Sequence, residues 1–239
     1  TVMRALHHAL ADAVFANPHN PSGILILDGK ALSIRGQKYC EHLVWDTGAG
    51  LLERRLCPGK ESPQTFDDLL QRLLQRGIVF TAVTIDGLPG LTQVLEAYGV
   101  CVDRCHVHLL RDLKTGLPLK RFNRHPGNTQ KRILYRYCKL FLHSSPATFS
   151  LRWRHLKRII EANVFGLSPI HHNVLLRFKK ACRHAFVHFV DPRIPNTTNR
   201  LESYIGHFNA RLKTMRGFKK PENAERILIA LHHSLLKSS

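Results

Sequence analysis

Apolar residues in the first hundred positions fall in short runs bounded by glycine, proline and aspartate. Ile24-Leu25-Ile26-Leu27 is closed by Asp28-Gly29, the pattern of a buried strand ending in a turn. Lys38 to Asp46 and Leu51 to Cys57 predict two further strands, joined through Thr47-Gly48-Ala49-Gly50 as an antiparallel meander. Ser62-Pro63 supplies a cap and a first-turn proline, and Phe66, Leu69, Leu70, Leu73 and Leu74 then recur at helical spacing as far as Gly77. Phe80 to Ile85 predicts a fourth strand, closed by Asp86-Gly87. Leu91 to Tyr98 predicts a short helix stopped by Gly99, and Val100 to Val102 a fifth strand.

Beyond residue 105 the period turns helical, with segments predicted at about 106–113, 128–143, 147–163, 170–188, 197–213 and 221–237. No internal repeat or low-complexity linker interrupts them. The expected fold class is α/β: a mixed five-stranded sheet with flanking helices, joined to an all-helical region.

Charge divides the same chain differently. Its 239 residues hold 36 Lys+Arg against 17 Asp+Glu, a formal net charge of +19, which points to a polyanionic partner. A hydrophobic fraction of 44% is enough to bury a core and excludes a disordered basic tail. Residues 1–100 carry 9 basic and 10 acidic side chains, while residues 101–239 carry 27 and 7, so the whole excess lies in the helical half. No run approaches the roughly 18 apolar residues that span a bilayer, and Thr1-Val2-Met3-Arg4 does not begin a signal peptide. A soluble protein with no membrane partner, cytoplasmic or nucleoid-associated in a prokaryote, is expected, with its six scattered cysteines reduced. Because the first residue is not Met, a preceding segment is expected too.

Two aspartates at strand ends bear on chemistry. If the helix at 62–76 returns the fourth strand beside the first, Asp28 and Asp86 emerge at one edge of the sheet. Close carboxylates repel unless a cation sits between them, and oxygen-only ligands suit Mg²⁺. Taken singly, an Asp-Gly pair is also an ordinary turn signal. Glu202, in Pro195-Asn196-Thr197-Thr198-Asn199-Arg200-Leu201-Glu202, is a third candidate. The stripe Leu201, Tyr204/Ile205, Phe208, Leu212 leaves Glu202, Gly206, Asn209 and Lys213 on one polar face. Equally, Asn199 as N-cap with Glu202 three residues on is a capping box.

Together these residues resemble a known family. The two aspartates, Cys105-His106-Val107-His108 continuing into Leu109-Leu110-Arg111-Asp112, and Asn-Thr-Thr-Asn-Arg-Leu-Glu before a basic helix look like the DDE transposases of the Mutator-like and related bacterial insertion-sequence group. The resemblance spans roughly Ile24 to Leu236. It implies a ribonuclease H-like core, residues 1–112 and 196–239, interrupted by a basic helical insertion at 113–195. It matches Asp28, Asp86 and Glu202 to the catalytic and metal-binding triad, with Mg²⁺ as cofactor and Mn²⁺ able to substitute. The 116 positions between Asp86 and Glu202 exceed what one strand and one helix need, which agrees with an insertion.

The activity implied is DNA strand cleavage and strand transfer by two-metal phosphoryl transfer. The partner would be double-stranded DNA, at element ends and target, handled by a homo-oligomer. No helix-turn-helix or zinc-finger pattern lies in these residues, so end recognition is expected upstream of Thr1. DNA contacts are expected from Cys105, His108, Arg111, Arg152, Trp153, Arg154, Arg200, Asn209, Lys213 and Arg216, the basic residues from Arg200 on belonging to a run around the Glu202 helix that also includes Arg211, Lys219 and Lys220.

Other readings stay open at this level. Cys101, Cys105, His106 and His108 lack the second well-separated ligand pair of a structural zinc site, so zinc is not expected. His171-His172 and His232-His233 fit helix-surface histidines on a DNA-binding face better than metal ligands. Trp153, between Arg152 and Arg154, either stacks on an unpaired base or anchors its helix in the core. A non-catalytic DNA-binding protein of the same fold, decayed or repurposed, and a structure-directed nuclease are the rival functions.

Overall fold

A computed structural model describes residues 21–119, 126–213 and 218–236. The chain divides into two compact units, Thr1–Val102 with Thr198–Ser239, and Asp103–Thr197.

In the first unit β1 (Ile24–Ile34), β2 (Gln37–Asp46) and β3 (Gly50–Pro58) form the meander, followed by α1 (Pro63–Gln75), β4 (Ala82–Ile85), α2 (Leu91–Ala97) and β5 (Cys101–Arg104), whose last two residues are counted with the second unit. The sheet order is β3-β2-β1-β4-β5, with β1 antiparallel to β2 and parallel to β4. This is the expected α/β class, with a mixed five-stranded sheet.

One boundary is corrected. Asp28-Gly29 does not turn the chain: β1 runs on to Ile34 because β2 keeps pairing with it, from Leu25↔Asp46 to Ile34↔Gln37. The turn comes at Arg35-Gly36, both at positive φ (51° and 78°), as a tight hairpin requires.

Period-two alternation gives β1 two different faces. Leu25 and Leu27 join Val44, Leu52, Phe66, Leu69, Leu70 and Leu73 in an apolar core under α1 and α2. Ile26, with Leu43 and Leu51, meets Leu201 and Tyr204 of α7 (Asn199–Lys213) on the other face. Here the contacts are largely ionic and involve α8 (Pro221–Leu236). Glu41 is fully buried, and its Oε1 accepts from Arg54 Nε at 2.6 Å and His232 Nε2 at 2.8 Å. Arg54 also forks onto both oxygens of Glu225, and Tyr204 Oη donates to His232 Nδ1. The buried Lys30 ammonium lies 4.0 Å from the Phe208 ring centre. His232 is therefore no surface histidine: α8 packs it into the core, where burial lowers its pKa from the ordinary value against the opposing pull of Glu41.

The second unit contains α3 (His106–Gly116), α4 (Pro126–Leu142), α5 (Pro146–Glu161) and α6 (Pro169–Ala181) around a core including Leu113, Leu134, Phe141, Leu156, Ile160 and Phe178. The helix expected at 170–188 stops at Ala181, and two 3₁₀ turns follow, Cys182–His184 and Val187–Phe189. They bring Phe186 against Phe141 and Phe149, at 5.0 and 4.7 Å, and His188 onto buried Asp103. No helix among the described residues is long and apolar enough to cross a membrane.

Burial pushes the Glu41 carboxyl up, but Arg54 and His232 outweigh it and hold it near 2, below its ordinary 4.5. A lowered folded value means that the stabilisation is present above 4.5 and is lost as pH falls toward 2. Urea unfolding across that window should show wild type losing stability that Glu41→Gln never had. Arg54→Ala, which strands a buried carboxylate, should cost about 3–5 kcal/mol at pH 7.

Candidate metal centre

The β1–β4 register decides the position of the two aspartates. Parallel pairing covers Ile24↔Ala82 to Leu27↔Ile85 and stops, so the next residue on each strand is an aspartate. Thr84 and Ile85 are fully buried, and the chain leaves the sheet at Asp86. Asp28 is 9% exposed, and its Oδ1 accepts from the Gly29 backbone N–H at 2.8 Å. Asp86 Oδ1 accepts from the Leu88 N–H at 3.1 Å, which shapes the loop into α2.

A third carboxylate meets them, and it is Glu61. Ligand oxygens of Asp28, Glu61 and Asp86 all lie within 4.8 Å of one another, the one such group among the described residues. Glu61 precedes α1, where the Ser62 N–H donates to His42 Nε2 at 2.9 Å, and His42 is itself buried edge-on to Phe66. The approach also depends on Gly29. A Cβ built there would lie 2.6 Å from Glu61 Cδ and 2.7 Å from Oε1, so a larger residue would push the end of the Glu61 side chain aside.

Three carboxylates at this spacing are a set of hard oxygen donors, which fits Mg²⁺ or Mn²⁺ and not the nitrogen and sulfur set that zinc favours. Cys40, across β1 from this site, is no competing ligand: burial, and then the charges of Glu61 and Asp28, push its thiol up to about 12.

Glu202 stands outside that group. It lies in the first turn of α7, and its Oε1 accepts from Thr198 Oγ1 at 3.0 Å. The polar contact expected from Asn199 is made one residue earlier, because the helix begins at Asn199 and Thr198 precedes it. Leu201 fixes the start of α7 over the sheet face that Ile26 shares with Asp28, and Arg200 Nη1 donates to the Thr47 carbonyl at 3.1 Å. Asn209 is half-buried on the same helix. The Lys213 side chain and Arg216 lie outside the described residues.

The remaining expected contacts belong to the second unit. Cys105 is buried at the start of α3, while His106 Nε2 meets the Ala185 carbonyl at 2.5 Å and its N–H donates to Asn196 O. His108 Nε2 meets Arg111 Nη1 at 2.9 Å. Arg152 Nη1 donates to the Leu140 carbonyl at the end of α4, Trp153 stacks on Phe141 at 5.3 Å as a helix anchor, and Arg154 is exposed. All six cysteines are free.

Sequence spacing singled out Asp28 and Asp86, two members of this group, and did not single out Glu61. Its one sequence signal was local: an acid immediately before the Ser62-Pro63 helix start, opposite a glycine that follows Asp28.

No family model matches this chain, and no curated protein does. Among solved structures it is similar to the HTLV-2 integrase catalytic core domain in complex with magnesium. The dimeric form is 15% identical, over 48% of this chain and 85% of that one, with a TM-score of 0.30. The trimeric form is 16% identical, over 64% and 93%, with a TM-score of 0.30. A simian T-cell lymphotropic virus intasome in complex with the PP2A regulatory subunit B56 gamma is 13% identical, over 58% and 50%, again at 0.30.

Proposed function

We propose that this chain is the catalytic part of a DNA transposase, cutting DNA and transferring the cut strand at a site that holds Mg²⁺ or Mn²⁺. The observation that carries the reading is the meeting of Asp28, Asp86 and Glu61 where the β1–β4 ladder ends. Asp28 and Asp86 are held by strands buried on both faces, so their carboxylates keep their places. Glu202 is the further ligand, carried on α7 and oriented by Thr198. The bound cation would supply charge neutralisation and an acidified nucleophile for in-line displacement at phosphorus.

The chain's own residues do the rest. Clustered carboxylates repel a phosphodiester until their charge is balanced, which makes DNA engagement at the site conditional on cation. The 27 basic side chains after residue 100 attract the backbone from a distance, without regard to sequence. Strand transfer, as opposed to hydrolysis alone, follows if a DNA 3′-hydroxyl takes the place of water.

The test is Mg²⁺- or Mn²⁺-dependent nicking and joining of duplex oligonucleotides by the 239-residue chain. Asp28→Asn and Asp86→Asn should each lower the rate more than about 100-fold, since even outer partners of metal ligands typically cost 10–100-fold. DNA binding without cation should persist or strengthen, because each change removes a negative charge. Full activity in either variant defeats the reading, and hydrolysed ends with no joined product favour a nuclease.

Glu61 and Glu202 are separated by paired variants. Gly29→Ala should displace the end of the Glu61 side chain and weaken Mn²⁺ binding, followed by electron paramagnetic resonance, about 10-fold or more with little change in stability. Glu61→Gln should match it. Glu202→Gln should reduce turnover while leaving more of the Mn²⁺ affinity of the unliganded protein, since Glu202 lies outside the preformed group.

A further inference from the structure

The second unit contains a cleft of about 510 Å³ between α3 and α6, within the size range of small-ligand sites. Arginines line it from three elements: Arg104 at the end of β5, Arg111 on α3 and Arg177 on α6. Its floor is apolar, with Val174 and Phe178 buried. The helices come this close because Gly116 faces Val174, where a Cβ would lie 2.6 Å from Cγ1.

Asp112, on the rim, makes the cleft specific. The unit has 19 basic residues and four acidic ones. Three of the four acids are engaged: Asp103 by His188, Glu161 by Lys179 and Asp191 by Arg193. Asp112 has no hydrogen bond or ion pair among the described residues and lies beside the arginines of the cleft. A surface meant only for phosphate gains nothing from a concave apolar floor and loses attraction through an exposed carboxylate. A ligand that joins a phosphate to a flat, amino-bearing ring uses all three features.

We infer that this cleft holds one extrahelical nucleotide of bound DNA. The base lies on the Val174–Phe178 floor, its exocyclic amino group donates to Asp112, and the flanking phosphates meet Arg111 and Arg177. Arg111 is already steadied by His108. Adenine and cytosine both carry the required amino group beside a ring acceptor, so they are favoured over thymine. Holding the base outside the stack costs unpairing energy, least where the base has no partner. The inference rests on DNA being the substrate but not on the metal chemistry.

Fluorescence anisotropy of the 239-residue chain without divalent cation tests it, with three labelled duplexes: fully paired, with one bulged cytosine, and with an abasic bulge of equal backbone flexibility. The cytosine bulge should bind about ten-fold tighter than the other two, the scale of one stacked base. Arg177→Ala and Asp112→Asn alter exposed side chains, so both should fold as wild type by circular dichroism. Arg177→Ala should erase the preference, and Asp112→Asn, which loses the charge but keeps one acceptor oxygen, should reduce it, with paired-duplex affinity changed less than about three-fold in both. Replacing the bulged cytosine by thymine should weaken wild type more than Asp112→Asn.

Equal binding of all three duplexes by wild type overturns the inference, as does equal tightening by the abasic bulge or survival of the preference in Arg177→Ala. Metal-dependent cleavage alongside equal binding would remove the cleft assignment and leave the transposase reading standing. Absence of binding to every duplex would defeat both.

Discussion

The parallel pairing of β1 with β4 is the constraint on which the site depends. Four residue pairs, Ile24↔Ala82 to Leu27↔Ile85, form its ladder, and seven of these eight residues are apolar and buried. Such a pairing requires a crossover, and α1 provides it, packing Phe66, Leu69, Leu70 and Leu73 onto one face. The ladder ends where both strands change from branched aliphatic residues to aspartate. Two carboxylates are thereby fixed side by side, close enough to offer oxygens to one cation.

The sheet's two faces are held by different physics. Under α1 and α2 the core is apolar, so its stability changes little with pH. Against α7 and α8 it combines a few aliphatic contacts with the Glu41, Arg54, Glu225, His232 and Tyr204 network. Buried ion pairs of this kind contribute little net energy relative to apolar packing, but they tolerate one geometry only. The helix that carries Glu202 is therefore located by directional bonds, including Arg200 to the Thr47 carbonyl.

Asp46 shows why an acid in a strand is not in itself chemistry. Its two oxygens accept from the N–H groups of Ser22, Gly23, Gly48 and Ala49, tying the start of β1 to the β2–β3 turn. Asp103 does the same for the second unit through His188. The carboxylates at the end of the ladder differ because they converge on one another instead of each being enclosed by backbone donors.

By itself the sequence determined most of the elements and where the positive charge lies. Short aliphatic runs, a Ser-Pro helix start and a surplus of arginine and lysine after residue 100 act locally or additively, and such signals survive without a fold. It also marked Asp28 and Asp86, because each follows an apolar run. Only tertiary structure decided that β1 continues through Asp28, since strand length depends on whether β2 goes on pairing. Pairing and packing between distant segments likewise placed His232 in the core and turned Trp153 onto Phe141. Glu61 carried only a weak local signal for the same reason: it reaches Asp28 and Asp86 through β1–β4 register, the contact of distant His42 with Ser62 and the space beside Gly29, all of which pairing between distant segments creates.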